Sequence, residues 1–149
     1  MIALIQRVTS ARVTVEGETR GEIGAGLLAL IGVQRADDSA QGIRLLERML
    51  DFRVFADTAG RMNLSLRDVR GGLLLVPQFT LAADTNSGHR PGFSSAADPA
   101  HAQGMFEQLL SAARAAHAYV AAGEFGAHMQ VSLTNDGPVT FWLQVHPKA

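Results

Sequence analysis

The stretch HMQVSLTNDGPVTFWLQV, His128 to Val145, decides how this chain is read. HMQVSL and VTFWLQV each read as a β-strand, rich in β-branched and aromatic residues. Asn135, Asp136 and Gly137 between them are an ordinary hairpin-turn signal. Pro138 complicates that signal, because proline lacks an N–H and restrains the residue before it. The expectation is a strand pair with a Gly-Pro step at its mouth.

Outward from this stretch the chain is strand-rich. Residues 2–8 and 12–16 read as strands joined near Thr9–Ala11, and RVTVEGETRGEI reads as a hairpin with Gly17 in its turn. LLALIGV, 27–33, is a continuous apolar strand whose neighbours Gly24, Gly26 and Gly32 mark bends or close backbone approach. Asp38 caps a helix with Gln41 completing a capping box, and Ile43, Leu46, Met49 and Leu50 form its apolar stripe. FRVF is a short strand, followed by a turn around Asp57–Gly60. GGLLLVPQFTL, 71–81, is a buried strand that meets Pro77. A long polar loop follows, of the kind that carries function. Asp98 then caps a second helix with Pro99 at its first position and Met105, Phe106, Leu109, Leu110 and Ala113 on its apolar face.

Seven or eight strands and two widely spaced helices do not suit a doubly wound sheet. The expected class is α+β: a curved, mostly antiparallel sheet closing toward a β-barrel, with two helices packed outside. The 149 residues fit a single domain, 1–149. Composition is 47% hydrophobic and 18% charged, a low charge content that leans toward an oligomer. Thirteen Lys and Arg against 14 Asp and Glu leave a net charge of -1, so no global basic field announces a nucleic acid, although a local patch of arginines suffices for a few phosphates. The absence of cysteine excludes disulfides and thiolate chemistry and is compatible with a reducing cytosol. Arg7 interrupts the first apolar run too soon for a signal peptide, and no run is long enough to span a membrane.

The motifs of nucleophile-elbow hydrolases, dinucleotide and phosphate loops, and helical zinc proteases are missing. The five histidines are scattered, without metal-ligand spacing. Glu47 and Asp51 interleave with Arg44 and Arg48 as a solvated helix face. What remains is polar residues in apolar surroundings: Arg7 in the first strand, Gln78 and Thr80 after a buried strand, and Asn135 with Gly137 and Pro138 between two strands. Each also has a purely structural reading, in an ion pair, at a strand end or in a tight turn.

The segments MIALIQRV, GRMNLS, VPQFTL, RPGF, GEFGAHMQV and NDGPVT resemble the D-aminoacyl-tRNA deacylases, from Met1 to about Gln144. Two family motifs carry the resemblance, Ser-Gln-Phe-Thr-Leu and Asn-x-Gly-Pro-x-Thr. The resemblance implies a cytoplasmic homodimer with sites shared across the subunits, using no metal or organic cofactor. It would hydrolyse the ester between a D-amino acid, or mischarged glycine, and the 3′-terminal adenosine of tRNA. By the resemblance Gln78, Phe79, Thr80, Gly137 and Pro138 form the catalytic set. Arg7, Pro77, Met129, Asn135 and Thr140 bind substrate, with Arg7 bracing the Gly-Pro motif across the dimer and Met129 beside the terminal adenine. The family's Gly-Pro bond is cis and enters the partner's site, and the RNA 2′-hydroxyl assists the attacking water. Pro77 stands where the family has serine, and His128 where aspartate is common.

An activated ester asks only for a placed water and a stabilised oxyanion, and backbone N–H groups around Gln78–Thr80 suit the second task. Thr80 lacks a partner base among these residues to make it a nucleophile. A rigid Gly137–Pro138 backbone wall would exclude an L side chain without contacting any particular D side chain. Two rivals stay open: a hydrolase for another small ester or amide, and a non-catalytic tRNA-binding domain.

Overall fold

The computed structural model describes residues 1–147. Eight strands, β1 (Ile2–Val15), β2 (Glu18–Ile23), β3 (Gly26–Gly32), β4 (Phe55–Ala56), β5 (Met62–Leu64), β6 (Gly72–Pro77), β7 (Val120–Ala122) and β8 (Gln130–Gln144), accompany three helices. These are α1 (Ser39–Asp51), α2 (Leu66–Val69) and α3 (Pro99–Ala116), and a 3-10 turn covers Phe79–Ala82.

The main sheet runs β2-β1-β3-β6-β7, with β8 added along β1. β1 pairs antiparallel with β2, β3 and β8, whereas β6 lies parallel to both β3 and β7. The sheet is therefore mixed and curls almost into a barrel, leaving a seam where β2 meets β7 without ladder bonds. Gly21 lets the seam close, since a Cβ there would lie 2.4 Å from the Ala122 carbonyl oxygen.

Alternation along the strands separates two cores. Leu28, Leu74 and Val76 point into the barrel with Val8, Val13 and Ile23. Leu27, Ala29, Leu73 and Leu75 point outward beneath α1 and α3. The helices thus pack outside, as expected. Both caps form as read: Asp38 Oδ1 accepts from Ala40 N–H at 2.9 Å, Gln41 Oε1 from Asp38 N–H at 2.7 Å, and Asp98 Oδ1 from His101 N–H at 3.0 Å.

Several expectations change. Ile43 is 54% exposed and Leu45 is fully buried in its place, because the inward stripe of α1 runs through Gly42, Leu45, Leu46 and Met49. FRVF contributes only Phe55 to a strand, the two-residue β4. The strand expected through Leu81 ends at Pro77 and turns into the 3-10 segment. The short α2 was not anticipated, although Ser65 and Asp68 form a reciprocal capping box, with bonds of 3.2 and 2.9 Å. The Ser65 N–H, and then its hydroxyl, hold the Asp68 carboxyl below its ordinary pKa. The hairpin at Gly17 does form, through a two-residue turn with φ of 50° at Glu16 and 79° at Gly17, as the twist of an antiparallel pair favours.

The largest correction concerns the opening stretch. HMQVSL and VTFWLQV are not two arms of a hairpin but the two halves of β8, and both pair with β1. Val8 faces Asn135 and Gln6 faces Thr140, so two steps of β1 span five of β8. Residues 136–139, four against Arg7 alone, leave the ladder as a bulge. Residues 2–8 and 12–16 are likewise one strand, β1, with a register shift between Val8 and Ser10.

An ion pair ties the Met1 end of the β1–β8 ribbon to the segment before α1. The Met1 ammonium donates to Asp37 Oδ1 at 2.8 Å and to the Val145 carbonyl at 2.7 Å, and both side chains of the pair are wholly buried. Asp37 Oδ2 accepts the Gln34 N–H at 2.7 Å. Asp37→Ala leaves a buried cation without its counter-charge, and the expected cost is about 3–5 kcal/mol. Urea unfolding measures it; a loss below about 1 kcal/mol, the range of a solvated pair, contradicts the assignment.

Candidate active site

β6 delivers the first motif to the mouth of a cavity of about 460 Å³. Pro77, Gln78 and Phe79 line one side, and Phe125, Gly126, His128, Met129 and Val131 the other. Ala97, Pro99 and Ala102 close it from the α3 side. The lining is mostly apolar with few polar groups, as small-molecule sites usually are. Pro77 falls at the end of a strand, where a missing N–H is tolerated. Phe79 is 58% exposed and leans on Phe93, ring centroids 5.3 Å apart.

The polar groups here are turned on one another. Gln78 Nε2 donates to Thr80 Oγ1 in a short hydrogen bond. Gln78 N–H donates to the Ile31 carbonyl at 2.8 Å, continuing the sheet, and Leu81 N–H closes the 3-10 turn on the Gln78 carbonyl at 3.2 Å. Among the described residues, the N–H groups of Phe79 and Thr80 have no partner. The first turn of any helix leaves such donors free. Two adjacent unspent N–H groups at a cavity mouth can receive a negative oxygen.

Thr80 itself lines a second cavity, of about 630 Å³, with Asp84, Asn86, Trp142 and Gln144. Neither Gly137 nor Pro138 lines either cavity. They stand exposed on the β8 bulge, joined by a cis peptide bond. Gly137 has φ of 132°, and a Cβ there would meet Val139 Cγ2 at 2.7 Å and Arg7 at 3.2 Å, so no other residue fits without displacement. Within the chain Arg7 braces the segment before Gly137: Nε donates to the Asp136 carbonyl at 3.1 Å and an Nη to the Val54 carbonyl at 2.7 Å. Asn135 Nδ2 donates to Thr140 Oγ1 at 2.8 Å, and Asn135 Oδ1 accepts from Val139 N–H at 2.9 Å.

One chain therefore gathers the anticipated residues into two groups. Pro77, Gln78, Phe79 and Met129 share a cavity. Arg7, Asn135, Gly137, Pro138 and Thr140 form a braced projection, and Thr80 adjoins the first group from the neighbouring cavity. Phe93 and Phe125 were not singled out beforehand. The signal for them was an isolated aromatic residue within a polar, glycine-containing loop.

This arrangement of a barrel-like mixed sheet, an apolar cavity at the end of β6 and a Gly-Pro projection defines a known class. Residues 4–144 match the family described as D-Tyr-tRNA(Tyr) deacylase. The chain is 64% identical, over 147 residues and 99% of each chain, to a D-aminoacyl-tRNA deacylase from Thioalkalivibrio sulfidiphilus (strain HL-EbGR7). It is 62% identical, over 152 residues and 99% of each chain, to one from Cupriavidus necator. Its backbone superimposes on the c-Myc DNA Unwinding Element Binding Protein with a TM-score of 0.94 at 36% identity, covering 99% of this chain and 100% of that one. A probable eukaryotic D-amino acid tRNA deacylase shares the fold, with a TM-score of 0.86 at 13% identity over 97% and 98% of the two chains. The chain belongs to the D-Tyr-tRNA(Tyr) deacylase family, and it is an enzyme, a hydrolase.

Arg7→Lys tests the brace. A lysine places one point charge where the guanidinium fork reaches two diverging carbonyls. The expected result is a fall in turnover of about tenfold to a hundredfold, from a shifted projection, with a small change in melting temperature. Wild-type turnover in the folded variant contradicts the bracing role.

Proposed function

We propose that this enzyme hydrolyses the ester between a D-amino acid and the 3′-terminal adenosine of tRNA, and that it also clears glycine. The observation that carries the reading is the apolar cavity lined by Gln78, Phe79 and Met129 beside the two unspent N–H groups of Phe79 and Thr80. The adenine enters that cavity against Phe79, Pro77 and Met129. Water attacks the ester carbonyl carbon, and the oxygen that gains charge is met by the two N–H donors. The C–O bond to the ribose then breaks, and the 3′-oxygen leaves with a proton, giving free amino acid and tRNA. Gln78 holds Thr80 by hydrogen bond, so Thr80 serves position rather than nucleophilic attack, and the RNA 2′-hydroxyl assists the water.

Gly137 and Pro138 supply selection in this reading. Their backbone forms a wall at the substrate Cα that an L side chain strikes and a D side chain avoids. Glycine has no side chain to strike it. The projection is exposed on its own chain and lines neither of the two cavities described above, which suits insertion into a partner's site. Among the described residues β8 has no strand partner other than β1, and it exposes Leu133, Phe141 and Trp142, a surface suited to a second copy. The enzyme in this reading is a cytoplasmic homodimer that binds the tRNA end, with Arg7, Asn135 and Thr140 holding the wall.

The deciding assay charges tRNA with D-tyrosine, L-tyrosine or glycine. Release of D-tyrosine and glycine with L-tyrosine retained is expected. Binding of tRNA with no release of any of the three overturns the reading. Thr80→Ala is expected to keep measurable deacylation; a fall beyond about a thousandfold with the fold intact makes Thr80 a direct participant. Light scattering at micromolar protein is expected to give twice the 15.9 kDa chain mass, and the monomer mass contradicts shared sites.

A further inference from the structure

The neck of the β8 bulge is closed by one side chain. Asn135 is the last residue paired with β1 before the bulge, opposite Val8, and Thr140 is the first after it, opposite Gln6. The Asn135 amide spans this gap with both of its polar atoms, donating to Thr140 Oγ1 at 2.8 Å and accepting from Val139 N–H at 2.9 Å. Within the bulge only Val139 is buried; Asp136, Gly137 and Pro138 are exposed. Packing in this chain therefore does little to fix the tip. Arg7 ties it from β1 through the Asp136 carbonyl, and Asn135 ties it at the neck.

We propose that Asn135, with Thr140 as its partner, is a positioning residue: it sets where the Gly137–Pro138 backbone stands and does not itself bind substrate. Its amide atoms are directed into the neck rather than outward. Without that bridge the tip hinges on Arg7 alone, and its distance from the substrate Cα is no longer fixed. This inference rests on the reading of Gly137–Pro138 as the stereochemical wall.

The test measures kcat/KM on tRNA(Tyr) charged with D- and with L-tyrosine, together with the melting temperature. Asn135→Ala is expected to lower the D rate about a hundredfold, the cost of a misplacement near 1 Å, and to move the D/L ratio toward L. Asn135→Asp is the rescue variant, because a carboxylate can accept from both the Val139 N–H and the Thr140 hydroxyl. It is expected to bring the ratio back toward wild type. Thr140→Val keeps the Val139 bond and is expected to fall between the two. The double variant Asn135→Ala, Thr140→Val is expected to be no worse than Asn135→Ala alone, as for two members of one bridge.

A folded Asn135→Ala protein with an unchanged D/L ratio overturns the proposal, whether or not its rate and melting temperature fall, since a merely structural residue lowers both at constant ratio. Gly137→Ala, made at the tip itself, separates the two levels. If it shifts the ratio and Asn135→Ala does not, the clamp alone fails. If Gly137→Ala leaves the ratio unchanged, the wall reading fails and the clamp with it.

Discussion

The pairing of β8 with β1 is the constraint on which the rest depends. Both halves of β8 are held in register against one strand, yet β8 has more residues than the span of β1 between Gln6 and Val8 can face. The surplus has no place in the ladder and must leave it. The Gly-Pro projection is thus a product of register, and its position along the molecule is set by the two pairs that flank it. Arg7 sits on β1 within that same span, so the strand that forces the bulge out also carries the side chain that steadies it.

A common pattern joins the two groups of candidate residues. Their polar side chains are spent on each other or on backbone: Gln78 on Thr80, Asn135 on Thr140 and Val139, Arg7 on Asp136 and Val54. What these bonds leave facing outward is main chain, the N–H groups after β6 and the Gly137–Pro138 segment. Main chain cannot be changed by substitution at its own position in the way a side chain can. A site of this kind is tuned through the residues that hold it, and it tolerates Pro77 in the lining because a strand end asks for no N–H there.

Local signals were legible and long-range pairings were not. Asp38, Gln41, Asp98 and Pro99 marked both long helices because caps are decided by a few neighbouring residues. On the inward face of α1, Leu46, Met49 and Leu50 are buried as read, but Ile43 is exposed, because tertiary packing chose Leu45 in its place. Asn135-Asp136-Gly137 carried the same local letters for a hairpin and for a bulge. The difference lies in whether the two flanking strands pair with each other or with β1, and β1 is more than a hundred positions away. The Met1–Asp37 pair left no trace, because a terminal ammonium has no letter in the sequence. The motifs marked both groups of candidate residues, but nothing in their order said that Gly137 and Pro138 would stand outside the cavity lined by Gln78 and Phe79.

The same ribbon bears on how the molecule is made. The Met1 ammonium and the Val145 carbonyl that it meets are separated by 144 positions, and Ile2 pairs with Gln144. During synthesis β2 and β3 can pair with β1, and β6 with β3, while one long flank of β1 still lacks its partner. Contacts this distant in sequence are slow to form, since the loop must close before they reward it. An unpaired strand left waiting also invites association with other chains. β8 is among the last segments to emerge from the ribosome, so the segment that covers that strand is the one that carries the Gly-Pro projection. A chain stalled before residue 130 would already hold the cavity strand β6 but neither the projection nor the cover for β1. The order of synthesis thus leaves the Gly-Pro projection until after the strand that carries the cavity.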